Sequence, residues 1–279
     1  MMSTPGKRIK TAKPTEIAVR NRILAGLVAT EYRHIVSKIE YVPLTAGQVL
    51  YKADQKIEAV YFPGDAVVAM IDTMEDGRTV EVGIIGREGI VGINVFLGGL
   101  ITPDKAVVQI SGGAMRMSAI NLRKEARFGS PLQQLLLEYA RTFLSVISQS
   151  VACSQHHDIE QRLARLMLTL SDYTEAREFP MAQATVSALL GVRRAGVSVA
   201  ASNLQRQGAL RYRRGVIRVV DSRSLEKKSC ECRQVIRRQY ALFQRSVQSL
   251  SRQGVRGSSA GVGKRASVPD AGARKSRSS

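Results

Sequence analysis

Short apolar runs separated by glycine, proline and aspartate fill the stretch from Ile39 to Ile120. Runs such as 59–62 and 67–71 have the length of strands and are rich in β-branched and aromatic residues. That composition and spacing are typical of antiparallel barrels and sandwiches. Asp76-Gly77 between two of the runs predicts a tight hairpin. The sequence therefore predicts a small all-β domain over residues 40–120, preceded by a helical segment at 21–38.

The hydrophobic period changes after Pro131, which is well placed for the first turn of a helix. Apolar residues then recur in steps of four and three, the spacing of a coiled-coil seam. The predicted seam is Leu132, Leu136, Tyr139, Phe143 and Val146. Further apolar residues would let another side of the helix pack on the β domain: Leu135, Leu144, Ile147 and Val151. This pattern favours a dimerisation helix over 131–155; the alternative is an amphipathic helix that lies on its own domain.

A helix, a tight turn and a second helix are predicted between residues 183 and 207. Ser187 is the small residue expected where two such helices cross, and Gly191 allows the left-handed backbone of the turn. Two strand-like runs with alternating arginines then meet at Arg214 and Gly215, which predicts a β-hairpin. Helix, turn, helix and basic hairpin together indicate a winged DNA-binding unit.

The predicted DNA contacts differ with their position in this unit. The N-terminal end of a recognition helix enters the major groove, and arginine is the usual partner of guanine there. Three residues are predicted to contact base edges: Arg193, Arg194 and Ser198. Four others are predicted to contact phosphates, which position a protein without reading sequence: Gln183, Arg206, Arg213 and Arg214.

Charge is distributed unevenly and supports a nucleic-acid partner. The chain carries 42 Lys and Arg against 23 Asp and Glu, a formal charge of +19. Residues 131–279 contain 25 of those basic residues and only 10 of the acidic ones. A strongly basic second half indicates contact with a polyanion.

The apolar runs and the cysteine count exclude several classes of protein. No apolar run approaches the ~18 residues of a membrane span, and the basic N-terminus leads into no apolar signal core. Three cysteines do not make a disulfide framework. We therefore expect a cytoplasmic protein with no membrane partner.

No catalytic or metal-binding arrangement is evident in the sequence. The pair Cys230 and Cys232 lacks a second pair at metal spacing, and on a helix its thiols would point about 200° apart. The neighbours His156 and His157 also diverge on a helix, so they are interpreted as junction residues. We expect no enzyme activity, no catalytic residues and no metal.

Five stretches carry a family resemblance: 60–63 (VYFP), 74–78 (MEDGR), 83–89 (GIIGREG), 160–165 (EQRLAR) and 190–194 (LGVRR). They are similar to the Crp/Fnr family of bacterial transcriptional regulators, and the resemblance covers roughly residues 20–240. It implies an α+β fold with an N-terminal antiparallel β-roll of the jelly-roll or cupin-like kind, resembling cyclic-nucleotide-binding domains. A long dimerisation helix and a C-terminal winged helix-turn-helix would follow. The implied partners are double-stranded DNA with an inverted-repeat operator and a second copy of the chain, with RNA polymerase as a further candidate.

The chain departs from the family's best-known members in its sensor and its recognition helix. Relatives that bind cyclic nucleotides grip the phosphate with an arginine, and Lys105 is only a loose substitute for it here. The iron–sulfur sensors use N-terminal cysteines, whereas no cysteine precedes Cys153. Ala195 and Val199 stand where a glutamate and an arginine are familiar. We therefore do not expect a cyclic nucleotide or an iron–sulfur cofactor to bind, and we do not assume the familiar operator sequence. The sequence leaves open which effector the β-roll senses and whether it still binds one.

The predicted organisation has six parts. They are a basic flexible N-terminus (1–19), a β-roll sensor (20–130), the dimerisation helix (131–155), the winged helix-turn-helix domain (156–226), a C-terminal helix (227–250) and a disordered basic tail (251–279). One rival function is a non-specific architectural DNA-binding protein that relies on the tail's charge. A remoter one is a cupin-type enzyme, although the only histidine before the long helix, His34, precedes the strands that would supply metal ligands.

Overall fold

The computed structural model describes the backbone of residues 14–259 and the side chains of residues 17–252. In this part of the chain the helices are α1 (Pro14–Arg20), α2 (Arg22–Ala25), α3 (Ala29–Val36), α4 (Ala119–Glu125), α5 (Pro131–His156), α6 (Ile159–Thr174), α7 (Gln183–Leu190), α8 (Arg194–Arg206), α9 (Ser222–Lys228) and α10 (Cys232–Ser259). The strands are β1 (Ile39–Leu44), β2 (Val49–Tyr51), β3 (Ala59–Pro63), β4 (Val67–Thr73), β5 (Thr79–Ile85), β6 (Lys105–Ile110), β7 (Gly112–Ser118), β8 (Glu178–Pro180), β9 (Leu210–Arg213) and β10 (Val216–Val219). The predicted α+β class, with a β-roll before a helical half, is confirmed.

Two antiparallel sheets form the β-roll, in the orders β1-β7-β3 and β2-β6-β4-β5. Along β4 the side chains alternate between two cores, as the period of a strand requires. Val68 and Met70 point into the β-roll, whereas Val67, Ala69 and Ile71 pack with the C-terminal half. Strand β4 is therefore buried on both faces, and the DNA-binding half is docked against the outer face of the second sheet.

Helix α5 covers the β-roll with the face that was predicted to be the dimer seam. All five seam residues are at most 7% exposed within a single chain: Leu132, Leu136, Tyr139, Phe143 and Val146. Because these side chains are already covered by their own chain, they are not available to a partner helix, and the predicted seam is wrong. The helix is apolar on two sides, and heptad spacing alone does not tell which side meets the domain.

The first helices are anchored to the β-roll. Ile17 of α1 is fully buried, so the predicted flexible N-terminus is wrong for residues 14–19, whereas residues 1–13 lie outside the described part of the chain. The buried Asn21 amide donates hydrogen bonds to the carbonyls of Pro63 and Gly89, at 3.0 and 2.8 Å. The predicted helical segment at 21–38 is divided into α2 and α3.

The C-terminal helix returns to the sensor domain. Instead of one helix over 227–250, the structure has α9 and then α10, which continues to Ser259. The predicted disordered tail is thus helical over 251–259, and residues 260–279 lie outside the described part. Helix α10 packs along α5, and its Phe243 is fully buried edge-on against Tyr139, with ring centroids 5.9 Å apart.

No helix within the described range 14–259 has both the length and the apolar character needed to cross a lipid bilayer.

Candidate nucleic-acid interface

The predicted helix-turn-helix is formed by α7 and α8. Gly191 ends α7 in the left-handed conformation, with φ of 61°, and its N–H donates to the carbonyls of Ser187 and Ala188. The Ser187 hydroxyl donates to the carbonyl of Val192, so the small residue predicted at the crossing also fixes the turn. Leu204 of α8 is fully buried. The helix boundaries and the turn therefore follow the sequence prediction.

Helix α6 holds both helices of this motif in place. Asp158 and Gln161 form a reciprocal capping box at its N-terminus. The next residue of α6 is Arg162, whose guanidinium donates to the carbonyl of Leu190, the last residue of α7, at 2.5 Å. The Glu160 carboxylate accepts a hydrogen bond from Asn203 of α8, at 3.0 Å. Through Arg162 and Glu160, helix α6 therefore fixes the positions of α7 and of the recognition helix α8.

The N-terminus of α8 presents two arginines to solvent. Arg193 is the N-cap residue and Arg194 the first helical residue, and both are exposed. Neither forms an ion pair with any acidic side chain among residues 17–252. Together with the positive end of the helix dipole, they form a site suited to anions and guanine edges.

The wing is a three-stranded sheet in the order β8-β10-β9, one strand more than predicted. Arg214 and Gly215 have φ of 50° and 74°, which is the two-residue hairpin turn that requires left-handed backbone. Arg213 and Arg214 are exposed at its tip. Tyr212 donates its hydroxyl to the carbonyl of Met181, at 2.8 Å, and partial burial raises the pKa of that phenol. Arg213 and Arg214 are therefore exposed at the tip of a hairpin that the Tyr212 hydrogen bond holds in place.

The remaining predicted contacts lie in two places. Ser198 is half-buried and donates to the Gln183 side chain, at 3.1 Å, so the structure joins a predicted base contact to a predicted phosphate contact. Arg206 is exposed at the far end of α8 and donates to Asn203, at 2.5 Å. Gln183 and Ser198 thus belong to the surface around the arginine pair, whereas Arg206 lies three helical turns away.

Val199 is a residue of this surface that the sequence analysis did not assign. It is 62% exposed on α8, whose buried stripe is Val197, Ala200, Ala201 and Leu204. Its position off that stripe was the available signal. An exposed apolar side chain on a recognition helix is suited to the methyl group of thymine.

The DNA-binding half touches the sensor at strands β4 and β5 of the second sheet. Helix α7 packs on β5, and a Cβ placed on Gly191 would lie 3.2 Å from Cγ2 of Val80. Beside this contact, burial raises the pKa of Glu81 to about 7, while the charges of Arg165 and Arg162 act to lower it. The turn of the helix-turn-helix is therefore packed directly against a strand of the β-roll.

Gly191→Ala is expected to destabilise the protein by about 2–3 kcal/mol, because the left-handed backbone is strained for alanine and the new methyl group crowds Val80. Gly208→Ala is the matched control, since Gly208 also has positive φ (71°) but has open space around its Cβ position. That variant should lose only about 1–2 kcal/mol. Urea unfolding of both variants measures the difference, and equal losses would show that the Val80 contact is unimportant.

Aromatic side chains pack closely against the glycines of the turn at residues 86–89. A Cβ on Gly89 would overlap the Tyr139 hydroxyl at 2.1 Å, and one on Gly86 would overlap Tyr173 at 2.5 Å. Tyr139 is itself stacked on Phe143, with centroids 5.6 Å apart. Lys105 lies on β6 and is half-buried. Tyr139 and Tyr173 thus pack closely beneath this turn.

Comparison with known proteins identifies the domain and the fold. Residues 161–228 match the family described as the Crp-like helix-turn-helix domain. No curated protein matches the chain by sequence.

Solved structures with the same fold include three bacterial regulators. A protein from Eubacterium rectale assigned to the Crp/Fnr family is 13% identical, with a TM-score of 0.58 over 74% of this chain and 96% of its own. A CRP-family transcriptional regulator from Thermus thermophilus is 14% identical, with a TM-score of 0.58 over 67% of this chain and 96% of its own. The c-di-GMP-responsive global regulator CLP from Xanthomonas campestris is 16% identical, with a TM-score of 0.55 over 69% and 99% of the two chains.

The matched domain is the one that carries the exposed arginine pair, and the shared fold extends over the β-roll and the long helix. The chain therefore contains a Crp-like helix-turn-helix domain and shares the fold of solved regulators of the Crp/Fnr family.

Proposed function

We propose that the protein is a homodimeric regulator that reads an inverted-repeat DNA operator through α8, under the control of the β-roll. The observation that carries this proposal is the exposed Arg193 and Arg194 at the N-terminus of a recognition helix, without acidic partners among residues 17–252. Solubility alone does not require two adjacent cations at the N-terminus of a helix that α6 holds in place, next to a wing with arginines at its tip.

Each part of the surface has a distinct role in this proposal. Arg193 and Arg194 contact base edges, and Ser198 both orients Gln183 and offers its oxygen to a base. Val199 contacts a thymine methyl group. Phosphates are bound by Gln183, Arg206, Arg213 and Arg214.

A second copy of the chain binds along the exposed side of α5. Three large apolar side chains there lie seven residues apart: Leu137, Leu144 and Val151 are 51%, 66% and 59% exposed. With the exposed Arg141 and Ser148 between them, they follow steps of four and three, which is the spacing of a two-helix seam. This exposed seam replaces the buried one predicted from sequence.

Regulation follows from the packing of α7 on β5. A parallel pair of α5 helices related by a two-fold axis places two recognition helices symmetrically, and binding requires them about 34 Å apart along the DNA. An effector that binds the two dimer arrangements with different affinity shifts the population between them. Gly191 lies beside Val80, and this packing links the sensor sheet to the helix-turn-helix.

In-vitro selection of duplex DNA by the purified protein at physiological salt tests this function. We expect enrichment of an inverted repeat whose half-sites are one helical turn apart. Tight, salt-sensitive binding without enrichment, both alone and with a panel of small-molecule effectors of several chemical classes, would contradict the proposal and favour the architectural function.

Arg194→Ala is expected to relax base preference at one position of each half-site and to cost roughly 1–3 kcal/mol of binding free energy. Arg213→Ala is the matched control, since removing a phosphate-binding cation from the wing should weaken binding to all sequences alike and reduce its salt dependence. Titration of labelled duplexes that differ at single positions measures both effects. A uniform decrease in affinity for Arg194→Ala would mean that Arg194 contacts phosphate.

A further inference from the structure

Three cysteines and a histidine from distant parts of the chain meet where α5 ends. Cys153 lies in the last turn of α5, and His157 is the extended residue that caps it, with its N–H donating to the carbonyl of Cys153. Cys230 lies in the short link between α9 and α10, and Cys232 is the first residue of α10. The prediction that these two thiols diverge on a helix is therefore wrong. The four donor atoms all lie within 4.8 Å of one another.

The distances match the coordination shell of a single ion. Cys153 Sγ is 3.5 Å from Cys230 Sγ, and Cys232 Sγ is 3.5 Å from Nδ1 of His157. Two thiolates on a tetrahedral zinc, with bonds of about 2.3 Å, lie about 3.8 Å apart. Three cysteines and one histidine are a common donor set for structural zinc, whereas an iron–sulfur cluster spreads its ligands around several irons.

Neighbouring groups hold these donors in the orientation that a metal needs. Nε2 of His157 lies 3.0 Å from the Glu231 carboxylate, which leaves Nδ1 directed at Cys232. A carboxylate on the far nitrogen of a histidine ligand is a recurrent feature of zinc sites. The Gln149 amide donates to Cys232 Sγ, at 3.1 Å, as a partner for a thiolate.

Burial and charge also favour an ion at this position. Cys153, Cys230 and Cys232 are 0%, 4% and 1% exposed, and they form a cluster of their own, separate from the two large apolar cores. Arg165 interacts electrostatically with two of the thiols, and its buried Nε has no hydrogen-bond partner among the described residues. Three thiolates and a divalent ion would carry a net charge of −1, which this guanidinium offsets.

We propose that Cys153, His157, Cys230 and Cys232 bind one zinc ion in a closed, tetrahedral structural site. The ion clamps the end of α5 to the start of α10, at the junction between the long helix and the DNA-binding half. Metal binding itself does not depend on the proposed function; its consequence for DNA does, because the clamp fixes where the helix-turn-helix sits relative to α5.

The test is zinc content and cobalt spectroscopy of the full chain, purified under reducing conditions and without DNA. We expect one tightly held zinc per chain by elemental analysis. Replacement by cobalt(II) should give the intense visible bands of a tetrahedral site and thiolate charge-transfer absorption. Zinc content well below one equivalent after loading and desalting, or the weak bands of octahedral cobalt, would overturn the proposal.

Variants assign the ligands. Cys232→Ser and His157→Ala should lower zinc affinity at least tenfold in chelator competition, and His156→Ala, the matched control on an exposed neighbour, should leave it unchanged. Glu231→Gln should weaken zinc binding by about 10–100-fold. Since Glu231 is 75% exposed, this variant keeps the fold even if a ligand variant does not. An unchanged affinity in Glu231→Gln and His157→Ala, or an equal loss in His156→Ala, would contradict the assignment. Because no readout uses DNA, failure here is distinct from failure of the regulator proposal.

Discussion

A chain carrying Leu144→Arg and Val151→Arg is expected to be monomeric and to bind an inverted-repeat operator at least a hundredfold more weakly. Both side chains lie on the exposed seam of α5, at 66% and 59% exposure. Apposed across a two-fold axis, the new guanidinium groups would be buried without partners, which costs several kcal/mol. A monomer also loses the effective concentration that links two half-sites, an effect of roughly 10²–10⁴-fold.

Sedimentation velocity and titration of a fluorescent operator measure the two effects. Ile120→Arg is the matched control, since Ile120 is similarly exposed (65%) but lies on α4, away from the seam. It should remain dimeric and bind DNA normally. A wild-type chain that sediments as a monomer on its operator, or a double variant that stays dimeric, would show that α5 is not the dimer interface.

Phe143→Ala is expected to lower the free energy of unfolding by about 3–5 kcal/mol, the largest single-residue effect on stability that we anticipate. The ring is 4% exposed, is stacked on Tyr139 and lies against Gly83, where a Cβ would come within 2.7 Å of it. Its removal leaves a cavity at the junction of β5 and α5, and these rigid elements have little freedom to close it.

Guanidinium unfolding compares this variant with Leu144→Ala, the next residue along the same helix. Leu144 faces solvent in the single chain, so Leu144→Ala should change the stability of the monomer by no more than about 0.5 kcal/mol. Measurement in a Val151→Arg background, which places one unpartnered charge in the proposed seam and should weaken dimerisation, would separate folding from dimerisation. Similar losses for both variants would contradict the assignment of the two faces of α5.

The helix-turn-helix could be predicted from the sequence because its determinants are local. Gly191 needs a left-handed backbone, and a small residue, Ser187, is needed four positions earlier where the helices cross. Residue type and spacing alone encode both requirements. The orientation of α5 could not be predicted in the same way. Phe143 and Leu144 are adjacent apolar residues that face opposite sides, and only the packing of the β-roll and α10 decides which one is buried.

The cysteine cluster shows a different limit of sequence reasoning. Cys153 and His157 have helical ligand spacing, and this signal was available. Their other partners are more than 70 positions away along the chain, at Cys230 and Cys232. The break between α9 and α10 that brings them together depends on tertiary packing, as does the docking of the DNA-binding half on the outer face of the second sheet.

The return of α10 to the β-roll has a consequence for biosynthesis. Phe243 and Val247 belong to the same core as the first strands, so residues made more than a hundred positions after the β-roll complete its hydrophobic centre. During translation, the part of the β-roll core that Phe243 and Val247 cover remains exposed until α10 has left the ribosome. Unlike chains whose domains fold one after another from the N-terminus, this one should acquire a protease-resistant sensor domain only after α10 has emerged. Nascent chains stalled before residue 243 should remain sensitive to proteolysis and bound by chaperones.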